Sequence, residues 1–389
     1  MFGVCLLSAT TYAAPVSSKP PVASKLTNKE MQAMIARILR ETSALRQLPI
    51  KRPVPSVVFT RAQVRKLYSD AGQGSTPSDA ARAAEIFIKQ LGLAPTNLDL
   101  RSYYMGMKGE RMAGAYNSRT KSFFTVDTID RAQLQMVIAH ELTHALQDQH
   151  FDLTRFENWP AHDSDAELAM RALVEGDANF TMSKYTANSP FRSLGMMLSR
   201  MKATTTDKKA GKYLLAPRIL KEGVSFPYVY GTEFVADLYN TGGWEEISSA
   251  FEDLPLSTEQ IMHYGKYVSG EDPVHVPVRD VTPLLGKDWR LLDHDVNGEI
   301  GLFLVTAEHL KDDTRAKRAA AGWGGDRYTV YQGQKKAALV VQDCIWDTEQ
   351  DALEWEQAYA RATNNRFKRP SQKRKTLQVW NAAPYGVWM

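Results

Sequence analysis

The chain has 389 residues, of which 43% are hydrophobic and 24% charged, with a formal net charge of +4. This is the composition of a globular protein large enough for two ordinary domains, and no run approaches the ~18 continuous apolar residues that cross a bilayer. Two cysteines, Cys5 and Cys344, exclude a disulfide framework and a cysteine-based zinc cluster.

Residues 1–14 are uncharged and largely apolar, and they end in the small pair Ala13-Ala14 before Pro15. The pattern resembles a secretory leader that lacks its basic start, so export to the periplasm or outside the cell is expected, with Cys5 removed. Apolar residues at helical spacing predict helices over 28–45, 61–68 and 80–91, which form a helical prelude. Segments 112–116 and 121–126 then flank the turn-rich Asn117-Ser118-Arg119-Thr120, which reads as a β-hairpin. Thr128-Ile129-Asp130 offers cap residues for a further helix, in which Leu134, Val137, Ile138, Ala145 and Leu146 recur with helical period.

That helix carries His140-Glu141-Leu142-Thr143-His144, the pattern HExxH. A step of four residues turns about 400°, so both imidazoles share one face about 6 Å apart and can grip one metal ion. Glu141 lies about 100° round the same turn, beside the ion but off the ligand line, where it can take a proton from an attacking water.

A catalytic zinc takes three protein donors, so a third is needed. His150 completes HExxHxxQxxH, similar to the metzincin pattern, but Gln147 stands where a helix-breaking Gly would turn the chain back. If the helix continues, His150 faces about 240° away from His144. Glu175 lies on a second predicted helix, 164–187, in Ala172-Leu173-Val174-Glu175-Gly176-Asp177-Ala178. Gly176 in mid-helix costs about 1 kcal/mol against Ala and suggests a close approach of backbone or metal. Asp177 and Asp165 are weaker substitutes, read as surface or supporting carboxylates. Asp148 reads equally as an acceptor that orients a ligand imidazole or as an exposed acid near a helix end.

Further along, a polar Thr- and Lys-rich loop is expected over 204–212, then a helix over 230–239 stopped by Gly242-Gly243. After the proline-bearing stretch 273–283, the pattern gives a helix over 297–310, strands over 327–331 and 337–345, and a helix over 348–361. Gly322-Trp323-Gly324-Gly325 reads as a tight turn, and Cys344 as a buried strand residue. The class is α+β, with a catalytic unit over 26–280 and a smaller α+β unit over 285–365. No acidic residue follows Glu356, but Arg361, Arg366, Lys368, Arg369, Lys373, Arg374 and Lys375 do, so 366–389 reads as a solvated basic tail. Nothing beside it resembles a nucleic-acid-binding motif.

The segment VEGDA resembles the EGxA segment of gluzincin peptidases. Together with HELTHALQDQH, ALVEGDA and the segments 226–231, 257–263 and 322–328, it is similar to a family of little-characterised bacterial neutral zinc metallopeptidases. The resemblance covers roughly 100–365. It implies a zincin-like α+β fold, Zn2+ held by His140, His144 and Glu175, and Glu141 as general base for peptide hydrolysis. It also implies a second helix antiparallel to the first, and that the strand just before the HExxH helix is a cleft edge on which an extended peptide lies. A downstream Tyr or His should donate to the oxyanion; His263 is placed first among the candidates, before Tyr228 and Tyr230. Two other functions compete: a zinc-bearing scaffold of the cell envelope without catalysis, and a zinc hydrolase of a non-peptide amide or ester. The presence of Glu141 counts against the scaffold, which has no use for a base.

Overall fold

A computed structural model describes residues 27–73, 77–126, 131–157, 160–190, 192–193, 212–374, 377–382 and 385–389. The leader-like segment 1–14 with Cys5, the cap residues Thr128-Ile129-Asp130 and the polar loop from 204 to 211 lie outside the described residues.

The prelude begins with α1 (Asn28–Arg46), opened by a capping box in which Thr27 and Glu30 satisfy each other's backbone N–H groups. Met31, Met34, Ile35, Ile38 and Leu39 form its buried stripe at the i, i+3, i+4, i+7 spacing of an amphipathic helix. Strand β1 (Ser56–Phe59), α2 (Arg61–Gln73), α3 (Asp79–Gln90) and α4 (Leu100–Arg111) follow. The expected hairpin is β2 (Gly114–Asn117) and β3 (Ser122–Val126), paired antiparallel with Ala115 opposite Phe124. β1 joins it in parallel, with Val57 opposite Phe124. The sheet order is therefore β1-β3-β2. β3, the strand just before the HExxH helix, is central rather than an edge, and among the described residues β1 and β2 are the edges.

Helix α5 (Arg131–Phe151) carries HExxH, and every residue from Met136 to Gln149 is buried. It packs on one side against α1 and the sheet, sharing a core of Val137, Ile138, Leu142 and Leu146 with Phe123 and Val126. On the other side lies α6 (Ser164–Ala187), with the bounds expected from sequence. A single turn, α7 (Lys212–Leu215), precedes α8 (Arg218–Ser249), which includes Pro227 and bends at Gly242 and Gly243. The helix does stop at these glycines as expected, since both leave the helical conformation, and a second helical run beyond them returns Trp244 and Ile247 to the core.

After the short helices α9 (Thr258–Met262), α10 (Tyr264–Val268) and α11 (Thr282–Leu285), the C-terminal unit forms. It holds β4 (Arg290–Asp295), α12 (Gly298–Leu310), α13 (Asp313–Ala320), β5 (Trp323–Gln332), β6 (Ala338–Trp346) and α14 (Glu349–Phe367). Its antiparallel sheet runs β4-β5-β6. Gly324 and Gly325, expected in a turn, lie inside β5 at a register irregularity between Trp323 and Gly325. Cys344 is a partly buried residue of β6. The segment read as a basic tail contains β7 (Gln372–Arg374), β8 (Leu377–Ala382) and β9 (Tyr385–Trp388), paired antiparallel in that order. Gln378 ties this sheet to α14 through Glu356, at 2.6 Å. Leu168, Leu173, Phe226, Phe234, Phe303, Leu304 and Trp323 belong to one hydrophobic core, so the C-terminal unit is packed onto α6 and α8.

At the α6–α8 crossing, backbone meets backbone. A Cβ on Gly176 would lie 2.2 Å from the Gly231 carbonyl oxygen, and one on Gly231 would lie 2.1 Å from that of Ala172. Gly176 is therefore where backbone meets backbone, which is the reason for a glycine one residue after Glu175. We expect Gly231→Ala to force the helices apart and to lower stability by about 3 kcal/mol or more. Gly223→Ala, in the same helix with nothing within 4 Å of its Cβ position, should stabilise by up to about 1 kcal/mol. Thermal or denaturant unfolding of the two variants checks both signs.

Candidate metal centre

Two adjacent helices supply the donors. His140 and His144 project from α5, and Glu175 projects from the middle of α6. The two Nε2 atoms are 3.0 Å apart. Glu175 Oε2 stands 3.1 Å from the first and 3.4 Å from the second. Three donors at tetrahedral positions with bonds of about 2.0 to 2.1 Å would be separated by roughly 3.3 Å. The observed spacing therefore fits three donors to one ion, and these are the only His, Cys, Asp or Glu side chains among the described residues found to cluster in this way. Two imidazoles and one carboxylate match a gluzincin-like HExxH active site, with the fourth vertex left for water or substrate.

A network behind His144 sets its tautomer. His144 Nδ1 lies 2.8 Å from Gln147 Oε1. The Gln147 amide nitrogen donates to the Val174 carbonyl at 3.0 Å and to Asp177 Oδ2 at 2.9 Å. Both partners only accept, which fixes the amide and leaves its oxygen toward the ring. Nδ1 then carries the proton and Nε2 presents its lone pair. Asp177 in turn accepts from Arg46 Nε at 2.7 Å, and neither side chain of that pair is exposed. Arg46 also donates to the Trp244 carbonyl and to Ser248 Oγ. The last residue of α1 is thus linked through α6 to a ligand on α5.

Glu141 is buried, and its Oε2 accepts the backbone N–H of Tyr116 on β2 at 2.7 Å. Tyr228, on α8, sets its ring centroid 6.3 Å from that of His140, and its phenol feels the charge of Glu175. Burial and the charge of Glu175 push the Tyr228 phenol well above its ordinary range, so it keeps its proton and acts as a donor. Without metal, burial opposes charge on His144, but attraction to Glu175 outweighs it and raises the imidazole to about 9. Burial likewise disfavours the Glu175 carboxylate, and His144 with His140 more than offsets it, holding the group below the usual carboxylate range.

The remaining sequence candidates fall elsewhere. Tyr230 is two residues and about 200° round α8 from Tyr228, stacked on Phe226 at 4.9 Å with Lys317 over its face. His263 Nε2 faces Glu299 Oε1 at 2.9 Å, and the other charged groups acting on it are Glu259 and Lys266. Helix α5 continues through Gln147, and His150 turns away to the Pro49 carbonyl at 2.8 Å. Asp148 plays neither expected part: it is buried, accepts from Tyr116 Oη at 2.7 Å and from Lys121 and Arg52, and pins the hairpin to α5. Asp165 is buried and accepts from the Thr258 backbone and hydroxyl. Gln147 is the orienting residue that sequence reasoning missed. The signal was its position three residues after His144, on the ring's own face of the helix.

Gln147→Leu should weaken metal binding about 10- to 100-fold with the three donors intact, measured by competition with a chromogenic chelator. Metal uptake must also displace the proton held by His144, so affinity should rise with pH and level off above about 9, with close to one proton released per ion near neutrality. Calorimetry in buffers of different ionisation enthalpy counts that proton.

Among known families, residues 289–387 match a domain of unknown function, DUF8575, which coincides with the C-terminal unit and its last sheet. No curated protein and no solved structure matches the chain.

Proposed function

We infer that this protein is a zinc-dependent peptidase of gluzincin type. The observation that carries the reading is the buried triangle of His140, His144 and Glu175 with Glu141 on the same helix turn. Zinc suits a set of two imidazoles and one carboxylate, and when bound it supplies Lewis acidity that acidifies water and polarises a carbonyl. Glu141 then takes the proton of the attacking water and returns it to the leaving amine. The Tyr116 N–H steadies the Glu141 carboxylate, and the Tyr228 hydroxyl donates to the oxyanion that forms at the scissile carbonyl. The edge of β2, which already reaches Glu141 through Tyr116, offers backbone groups to an extended peptide.

No helix among the described residues is long and apolar enough to cross a membrane. An exported location belongs to the reading and is supported by the apolar opening segment alone.

Glu141→Gln should retain about one zinc per chain and lose peptide hydrolysis by about 10²- to 10⁴-fold. Glu175→Ala should lose the metal and the activity together. Metal analysis beside a peptide-library digest checks both, and full cleavage by Glu141→Gln would overturn the mechanism.

A further inference from the structure

Helix α6 carries a second charged group beside the metal centre that peptide hydrolysis leaves without a task. Arg171 lies four residues before Glu175, on the same face and about 6 Å along the axis. Half-buried, it lines a narrow crevice, no roomier than a water molecule before substrate enters, with Tyr116, Ser118, His144, Leu153 and Glu175. The charged and phenolic groups acting on it are Tyr104, Glu167, Tyr228 and Glu175. Among the described residues no carboxylate comes within salt-bridge distance of its guanidinium. Arg46 and Arg52, which frame the same site, hold carboxylates at 2.7 and 2.6 Å. Arg171 is the exception.

A purely structural role explains this poorly. A guanidinium one turn from a ligand carboxylate repels the divalent ion that the site is built to hold, and that cost is felt strongly where water is scarce. The same charge is useful if an anion arrives with the substrate. A guanidinium offers a planar fork of donors that matches a carboxylate bidentately. An extended peptide spans about 3.3 to 3.6 Å per residue, so one helical turn corresponds to about two residues of substrate.

We propose that Arg171 is a receptor for a substrate carboxylate, so that the enzyme selects peptides presenting an acidic side chain or a free C-terminus within about two residues of the scissile bond. The proposal rests on the peptidase reading and names its substrate class. Val174 and Leu153 supply apolar wall to the same pocket, which strengthens a charge-assisted bond made inside it.

The test uses the full-length zinc-loaded protein, Arg171→Met and Arg171→Glu, with a matched peptide set. One peptide is neutral with an amidated end, one carries Glu near the cleaved bond, and one is neutral with its free carboxylate at that distance. The wild type should favour one or both carboxylate peptides in kcat/KM, and the two arms separate side chain from terminus. In Arg171→Met that preference ratio should fall about 10- to 100-fold, and Arg171→Glu should shift it toward a Lys-bearing peptide. A wild type without preference, or a ratio unchanged in Arg171→Met, would overturn the proposal while leaving the peptidase reading in place. Binding of the same peptides to zinc-loaded Glu141→Gln, with and without Arg171→Met, reads the receptor without turnover. Carboxylate discrimination lost there supports it even if the cleavage reading fails, and discrimination kept there sinks it.

Discussion

The buried pair Arg46–Asp177 is the constraint around which the site is organised. Taking both charges out of water costs several kcal/mol per ion, which only good geometry and further hydrogen bonds offset. Asp177 gets them from Gln147 and Arg46 from Trp244 and Ser248. One arginine therefore joins the end of α1 to α6 and α8, and through Gln147 to α5. Moving any of these helices by an ångström would strand a charge in the interior. His144 is oriented by the same network, so the direction of a metal ligand and the docking of the N-terminal helix are set by one set of bonds.

The glycine crossing adds a second restraint. Gly176 and Gly231 bring α6 and α8 into backbone contact, and Tyr228 is three residues before Gly231. With side chains at those two positions the helices would stand further apart and the Tyr228 ring would move away from His140. The close approach thus works as a spacer for the site. It also explains why a residue of poor helix propensity is tolerated in the middle of α6, where an exposed helix would lose about 1 kcal/mol.

What could be read in the sequence was local. α1, α5, α6 and α12 announce themselves through apolar periodicity, and the HExxH spacing follows from helix geometry alone. Features that depend on distant pairing were not legible. β1 finds its partner β3 only after about 60 residues of intervening chain, and β4 reads as an ordinary mixed segment until β5 covers it. α4 was obscured by Gly106 and Gly109 inside it. Which of His263, Tyr228 and Tyr230 comes beside His140 depends on the direction in which α8 faces. Asp148 shows the same limit, because its partners Arg52, Tyr116 and Lys121 come from two separate segments.

The C-terminal unit bears on the site through the beginning of α6. The Ser164 N–H donates to Asp295 of β4, and Asp165 accepts from Thr258 at the start of α9. Asp326 of β5 accepts from the backbone at the start of α12, and burial pushes it up to about 6. Burial pushes Asp165 well above the ordinary carboxylate range too. Asp165 and Asp326 cost stability when charged at neutral pH, a cost that a purely stabilising design would avoid. In exchange, α6 is anchored at its first turn by one unit and at Asp177 by the other, with Glu175 held between. A ligand carboxylate fixed from both ends loses little freedom when the metal binds, which is the physical case for a C-terminal domain that contributes no donor to the centre.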